Sequence, residues 1–404
     1  MMQRRAFFAV VGAAAAATAA TTPASAQTSW GTADVTTFGA TGDGVTDDAP
    51  AIQAAINSVV AAGAGEVFFP IGRYLVNSRL KLQNTYAGSQ QIKLRGVVAA
   101  NAYLAGAPAS AKGSVIVGNT GGIVLDMAGA CNVTLEDFAI LSSSGASPST
   151  IGILFQRTSV APFCQNNKFV RLAIGMASNP SANGGVGSVA IMNKRGEHHH
   201  HYDCWYYADR PVIQNGDSAY PSVISPDYSE TVIQGATLGL NYFDNVAFLP
   251  VTGACIEFRS VVNNHVRGGY MRLAAGQYCV RLDRFNDHVS VEFVQIEPAG
   301  ATGGFGFVKA NATVYCLRLS ATTSIANLIG LATVNQATVK GYHIELGPEF
   351  GQAFNYAAFG GGPISGGTLM FNSQNGCTIP NSGIYNSVIM DASLASHGGA
   401  RFSP

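Results

Sequence analysis

Charge is scarce in this chain. Of 404 residues only 11% are Asp, Glu, Lys or Arg, and 23 acidic and 23 basic side chains cancel to a formal net charge of zero. No basic excess draws it toward nucleic acid, and no basic run would hold it on an anionic membrane surface. Tryptophan occurs only at Trp30 and Trp205. The seven cysteines are widely spaced and contain no CxxC pair. That excludes paired zinc ligands and a small disulfide framework, and leaves thiols that serve as small buried apolar groups. No DxD-type ladder of acids occurs, so neither a metal nor another cofactor is expected. Long apolar runs are missing too: the one near the start is short and alanine-rich, where a stable membrane span needs about 20 strongly apolar residues.

That first run has another reading. Arg4-Arg5 precede Phe7-Phe8 and the Ala-rich stretch, and Ala24-Ser25-Ala26 is a small-residue cleavage site before Gln27. Met1–Ala26 is therefore expected to be an export signal. Its paired arginines resemble a twin-arginine signal, with an ordinary secretory signal as the alternative. Either predicts a periplasmic or secreted bacterial protein.

The chain is organised around Val35–Val76, which reads as strand, glycine-rich turn, helix, turn, strand, turn, strand. Gly39, Gly42 and Gly44 flank Asp43 where the backbone must turn tightly. Asp47 is placed to accept from the first helical turn, and Asp48 favours the positive helix end. Pro50 sets the helix start. Ile52, Ala55, Ile56, Val59 and Val60 recur on one face, and Gly63 and Gly65 stop the helix. Val67–Phe69 and Tyr74–Val76 follow as strands.

The pattern FGATGDGVTDD…AIQAAI…GEVFFPIGRYLV resembles the opening of the pectate-lyase-like family. That family includes polysaccharide lyases, polygalacturonase-like and glucanase-like hydrolases, and viral tailspikes. The resemblance implies an all-β, right-handed parallel β-helix with a short N-terminal helix closing the first coil. It implies turn and cap roles for Asp43, Asp47 and Asp48, and a polysaccharide or oligosaccharide as partner. A trimeric homo-oligomer, as in tailspikes, is left open. The polygalacturonase-like branch carries Asp motifs and a Gly-His-Gly segment that this chain lacks.

A repeat supports the solenoid. Gly253–Phe258 and Gly276–Leu282 are alike, with Cys255 and Cys279 24 residues apart and His265 and His288 23 apart. A period in the twenties signals stacked coils about 4.8 Å apart. Ile256 should lie over Val280, Phe258 over Leu282, and Glu257 over Arg281 as an outward pair. The repeat reads as regular over 123–174 and 253–319, and as irregular loops over 175–248. One domain is expected over 27–350, with a C-terminal coil or cover over 351–404.

Chemistry is expected in the irregular segment. Aromatic planes beside carboxylates and arginine match a sugar's apolar face and hydroxyl rim. The catalytic candidates are Asp203, Asp209 and Asp244, with Glu292 on a following coil. The substrate-binding candidates are Lys194, Arg195, His200, Trp205, Tyr206, Tyr207, Arg267 and Arg272. In the run His198–His201 alternate side chains face opposite ways, so at most two share a face. Hydrolysis of glycosidic bonds is preferred. The alternatives are β-elimination on a uronate polymer, a non-catalytic glycan binder and an exopolysaccharide epimerase.

Overall fold

The computed structural model describes residues 31–83, 85, 91–157, 163–216, 238–273 and 277–298, and from 304 onward strand backbones only. The expected export signal, Trp30, and the side chains of the C-terminal cover lie outside the described residues.

Short strands separated by corners wind through three walls, and every registered pairing is parallel. The first wall stacks Gln91–Arg95, Val133–Glu136, Lys168–Val170, His200–Tyr202 and Leu238–Asp244, then the second half of Ile256–Arg267. The second wall stacks Gly72–Val76, Ser114–Gly118, Ala139–Ser142, Ala173–Gly175, Trp205–Ala208 and Ala247–Pro250. The third stacks Ile123–Asp126, Ile151–Gln156, Val189–Lys194 and Arg210–Asn215, then the start of Ile256–Arg267. The architecture is a right-handed parallel β-helix.

The helix α1 (Ala49–Ala62) buries Ile52, Ala55, Ile56 and Val59 of the apolar face read from the sequence, together with Ala49, while Val60 is partly buried, and it packs beside Ala64–Phe68. Asp47 accepts from the Ala49 amide at 3.2 Å and also from Asn77. Asp48 does something other than favour the helix end. Buried, it accepts from the amides of Thr41 (2.7 Å) and Gly42 (3.1 Å), satisfying the glycine-rich turn. Asp43 closes its own turn by accepting from Val45 and Thr46, and these backbone bonds lower its pKa to about 2.

Ile256 pairs with Val280, Phe258 with Leu282 and Glu257 with Arg281, as expected. Glu257, however, is buried, and bonds to Arg210 on the coil before (3.1 Å). His265 and His288 are not neighbours. The register slips by one between Arg259 and Val261, so His265 pairs with Ser290. The five described cysteines are free and buried.

The expected interruption over 175–248 is corrected over 175–216 and 238–248, while the loop expected at 217–237 lies outside the described residues. The ladder passes through it: Phe169 pairs with His201, His201 with Phe243, and Phe243 with Val266. These steps are 32, 42 and 23 residues long. Between Ala173–Gly175 and Val189–Lys194 the described extra chain forms a corner, and the strands on either side keep their pairing.

The interior is built of ladders. Leu135, Phe169, His201, Phe243, Val266 and Val291 form one column. In it the His201 ring lies 4.4 Å from Phe169 and 4.3 Å from Phe243, nearly parallel to both. The spacing follows from the strand separation of about 4.8 Å. A neighbouring column carries Asn167, His199, Asn241 and Asn264, all buried. Asn241 accepts from the His199 amide (3.0 Å) and donates to Asn264 (3.1 Å).

Candidate functional site

The corner between the first and second walls is two residues long, and its first residue is left-handed. Asp137, Arg171, Asp203, Asn245 and Gly268 occupy it on successive coils, with φ of 60°, 50°, 54°, 54° and 64°. Gly, Asn and Asp accept this left-handed conformation readily, whereas at Arg171 it costs about 1 kcal/mol. Each amide donates to the next coil: Asp137 to Val170, Arg171 to Tyr202, Asp203 to Asp244 and Asn245 to Arg267. The side chains follow the same line. Arg171 grips both oxygens of Asp137 (2.6 and 2.8 Å) and also reaches Glu136. Asn245 donates to one oxygen of Asp203 at 2.7 Å. The Asp137 bond, more than any other cause, raises the Arg171 pKa above its ordinary value, so the guanidinium is always charged. Burial favours the neutral form of Glu136, but bonds from Lys93 and Arg171 outweigh it and hold its pKa low.

Beside this corner the loop 97–112 folds over the outer face of the second wall. Ala100, Ala102 and Ala111 pack there against Val115, Val117, Ala139, Leu141 and Ala173. The approach is so close that a Cβ on Gly175 would lie 2.0 Å from the Ala102 carbonyl oxygen. Gly175→Ala is therefore expected to lift the loop and lower stability by about 1–3 kcal/mol. A thermal melt checks this.

At the loop's edge the wall changes from Ala173 to Trp205 on the next coil. The indole is 46% exposed. Loop and indole bound a groove of about 410 Å³ with Val98, Ala100, Ala102, Leu172 and Ala173 among its lining, and Asp137, Arg171 and Asp203 along the corner.

Of the expected site residues, the structure brings Asp203 and Trp205 together in this groove. Tyr207 stands near, its ring 5.1 Å from Tyr103. The others lie elsewhere. Tyr206 is withdrawn into the core, its hydroxyl 2.7 Å from His201 Nδ1. Asp209 is fully buried as a structural hub. It takes bonds from the Ser178 hydroxyl (2.6 Å), the Asn179 amide (2.7 Å) and both the amide and hydroxyl of Ser188. Burial alone would raise the Asp209 pKa, but these donors bring it below its ordinary value. Lys194 and Arg195 are buried at the end of the third wall. His200, Asp244, Arg267 and Glu292 project from the first wall, the last three in one column. Arg272 lies on the second wall, 3.8 Å from Glu297. The reading missed Arg171, Asp137 and the loop 97–112. The signal for the first two was a charged residue at the same corner on coils 34 residues apart.

Comparison with known proteins follows this geometry. Residues 32–210 match the family described as Rhamnogalacturonase A/epimerase, pectate lyase-like. This segment is pectate-lyase-like. The pectate-lyase-like segment contains every groove residue named above. Mannuronan C5-epimerase AlgE1 of Azotobacter vinelandii is 60% identical over 40 residues, 10% of this chain and 3% of that protein. Alginate lyase 7 of the same organism is 54% identical over 44 residues, 11% of this chain and 5% of that one. The chain thus aligns with only a small part of these relatives. Among solved structures, the Dettilon tailspike protein (gp208) superposes with a TM-score of 0.51 at 14% identity, over 91% of this chain and 68% of that one. That likeness is one of fold. Among the described residues no helix is long and apolar enough to cross a membrane.

Proposed function

We propose that the groove at Trp205 binds a stretch of polysaccharide and that the protein, once exported, hydrolyses its glycosidic bonds. One observation carries the reading: a half-exposed indole beside an apolar floor, with Asp203, Arg171 and Asp137 at its rim. A pyranose ring offers an apolar C–H face encircled by hydroxyls. An indole plane suits the face, and carboxylates and a guanidinium suit the hydroxyls. The pectate-lyase-like match and the similarity to a mannuronan epimerase and an alginate lyase lend support to a carbohydrate ligand.

Hydrolysis requires two carboxyl groups across the bond. Asp203 keeps its second oxygen without a partner among the described residues. Asp137 is two coils away, about 10 Å along the axis at ~4.8 Å per step. That spacing suits inversion, which uses roughly 6.5–9.5 Å, better than retention at about 5 Å. Elimination is the second reading, favoured by Arg171 between the two acids. By exchanging a bond to Asp137 or Glu136 for one to substrate, Arg171 would neutralise a uronate carboxylate while a base takes the α-proton.

Incubation with a panel of polysaccharides tests the proposal. New reducing ends without absorbance near ~235 nm support hydrolysis, and reducing ends with it support elimination. Uronate inversion without cleavage, or binding without product, would overturn cleavage. Trp205→Ala is expected to weaken binding at least tenfold, about 1.4 kcal/mol, with the melting temperature unchanged. Asp203→Asn should lower kcat by about a hundredfold or more while binding persists. Full activity in that variant would remove Asp203 from the mechanism.

A further inference from the structure

A second cavity opens away from the groove, on the outer face of the first wall. Its volume is about 380 Å³, and its lining includes Gln91, Lys93, Asn132, Asn166, Lys168 and His200. No carboxylate is among the lining residues. Lys93 turns toward Glu136. Lys168 is exposed and has no acidic partner among the described residues. Asn132 and Asn166 occupy the corner before the wall, with φ of 59° and 58°, and both line the cavity.

His200, which lines the cavity, is the first ring of a row that runs away from it along the wall. His200 lies 4.8 Å from Tyr242, and Tyr242 lies 5.1 Å from His265, with planes tilted by 11° and 15°. His265 Nδ1 is in turn 2.7 Å from the Ser290 hydroxyl. Each ring rides on its neighbour one coil along. The stack fixes the orientation of His200, the ring at its end. The Tyr202 hydroxyl lies 3.1 Å from His200 Nδ1. If that hydroxyl donates, the ring proton sits on Nε2. Burial first, then the charge of Lys168, depresses the His200 pKa against an opposing pull from Asp244. The imidazole is then a neutral N–H donor beside the Lys168 side chain, with Asn132 and Asn166 also in the lining. Such a set has the chemistry to hold an oxyanion.

We propose that this cavity is a separate binding site for an oxyanion borne on an acidic polysaccharide, a carboxylate or sulfate group held by Lys168 with His200. It rests on the polysaccharide reading but not on the Trp205 groove. Lying on another wall, it would anchor a charged part of the polymer outside that groove.

The test compares three oligosaccharides of equal length by titration calorimetry at low salt: a uronate oligomer, a sulfated oligomer and a neutral one. Inorganic sulfate serves as a fourth probe. Wild type is expected to bind one or both acidic oligomers at least tenfold more tightly than the neutral one. The difference should shrink as added salt shortens the screening length below about 10 Å. Lys168→Glu should abolish the preference, with neutral binding and melting temperature unchanged. His200→Phe retains the stack on Tyr242 and removes the donor, and should weaken acidic binding severalfold. Trp205→Ala separates the two sites, since it should weaken all three oligomers and leave the preference for acid intact. Equal affinity for acidic and neutral oligomers would overturn the proposal. So would an unaltered preference in Lys168→Glu, or inorganic sulfate binding as tightly as the oligomers.

Discussion

Asp209→Ala is expected to lower stability by about 3–5 kcal/mol, more than any other single change at the expected site residues. The carboxylate accepts two backbone amides and two hydroxyls at 2.6–3.1 Å, all within the wall and the loop over it. Removing it leaves buried donors unsatisfied at about 1–3 kcal/mol each, less what relaxation recovers. Asp209→Asn should also be costly, because its amide would point N–H groups at N–H groups. Chemical denaturation at pH 7 measures both. The contrast with Asp203→Asn is diagnostic. Asp203 lies exposed at a corner with one partner, so its loss should leave the fold intact and alter turnover. If Asp209→Ala melted normally yet lost activity, the structural role assigned to it would be wrong.

Acid should destabilise the protein steeply below the ordinary histidine pKa. His199 and His201 are fully buried. Burial, followed by the charges of neighbouring histidines, lowers His199 to about 3 and holds His201 well below its ordinary value. In the unfolded chain both would titrate near 6.5. Between 6.5 and about 3 the unfolded state binds protons that the folded state refuses, so stability falls as pH falls. The two groups together amount to about 2.7 kcal/mol per pH unit, or about 4 kcal/mol at pH 5 relative to pH 8. His201→Phe, with Tyr206→Phe to remove the hydroxyl left behind, fits between Phe169 and Phe243 and should halve that slope. Unfolding free energies at pH 8, 6 and 5 decide the matter. A flat profile in wild type would mean that these rings reach solvent or a proton acceptor.

The architecture was legible in the sequence because the late coils are short and nearly equal. Cys255 and Cys279 mark a step of 24 residues, and the pairing of Ile256 with Val280 follows from it. The middle coils were opaque for the opposite reason. Steps of 32 and 42 residues hide the same repeat under added length, so regular strands read as loops. Trp205 and Asp203 were legible by type, as an indole and a carboxylate close in sequence. Tyr206 and Asp209 have the same types and the same neighbourhood, yet the alternation of a strand turns Tyr206 inward and a covering loop closes over Asp209. Arg171 could not be chosen from sequence, since its importance comes from corner stacking between coils.

Placing the added length of 176–188 at a corner has an evolutionary consequence. The wall pairing does not pass through 176–188, so this loop can be lengthened or exchanged without renegotiating the strands on either side. Ligand preference is therefore free to drift at the rim while the winding beneath is inherited unchanged. Shortening the corner at 177–187 while sparing Ser178 and Ser188, for example, should retune the surface and leave the coils in step.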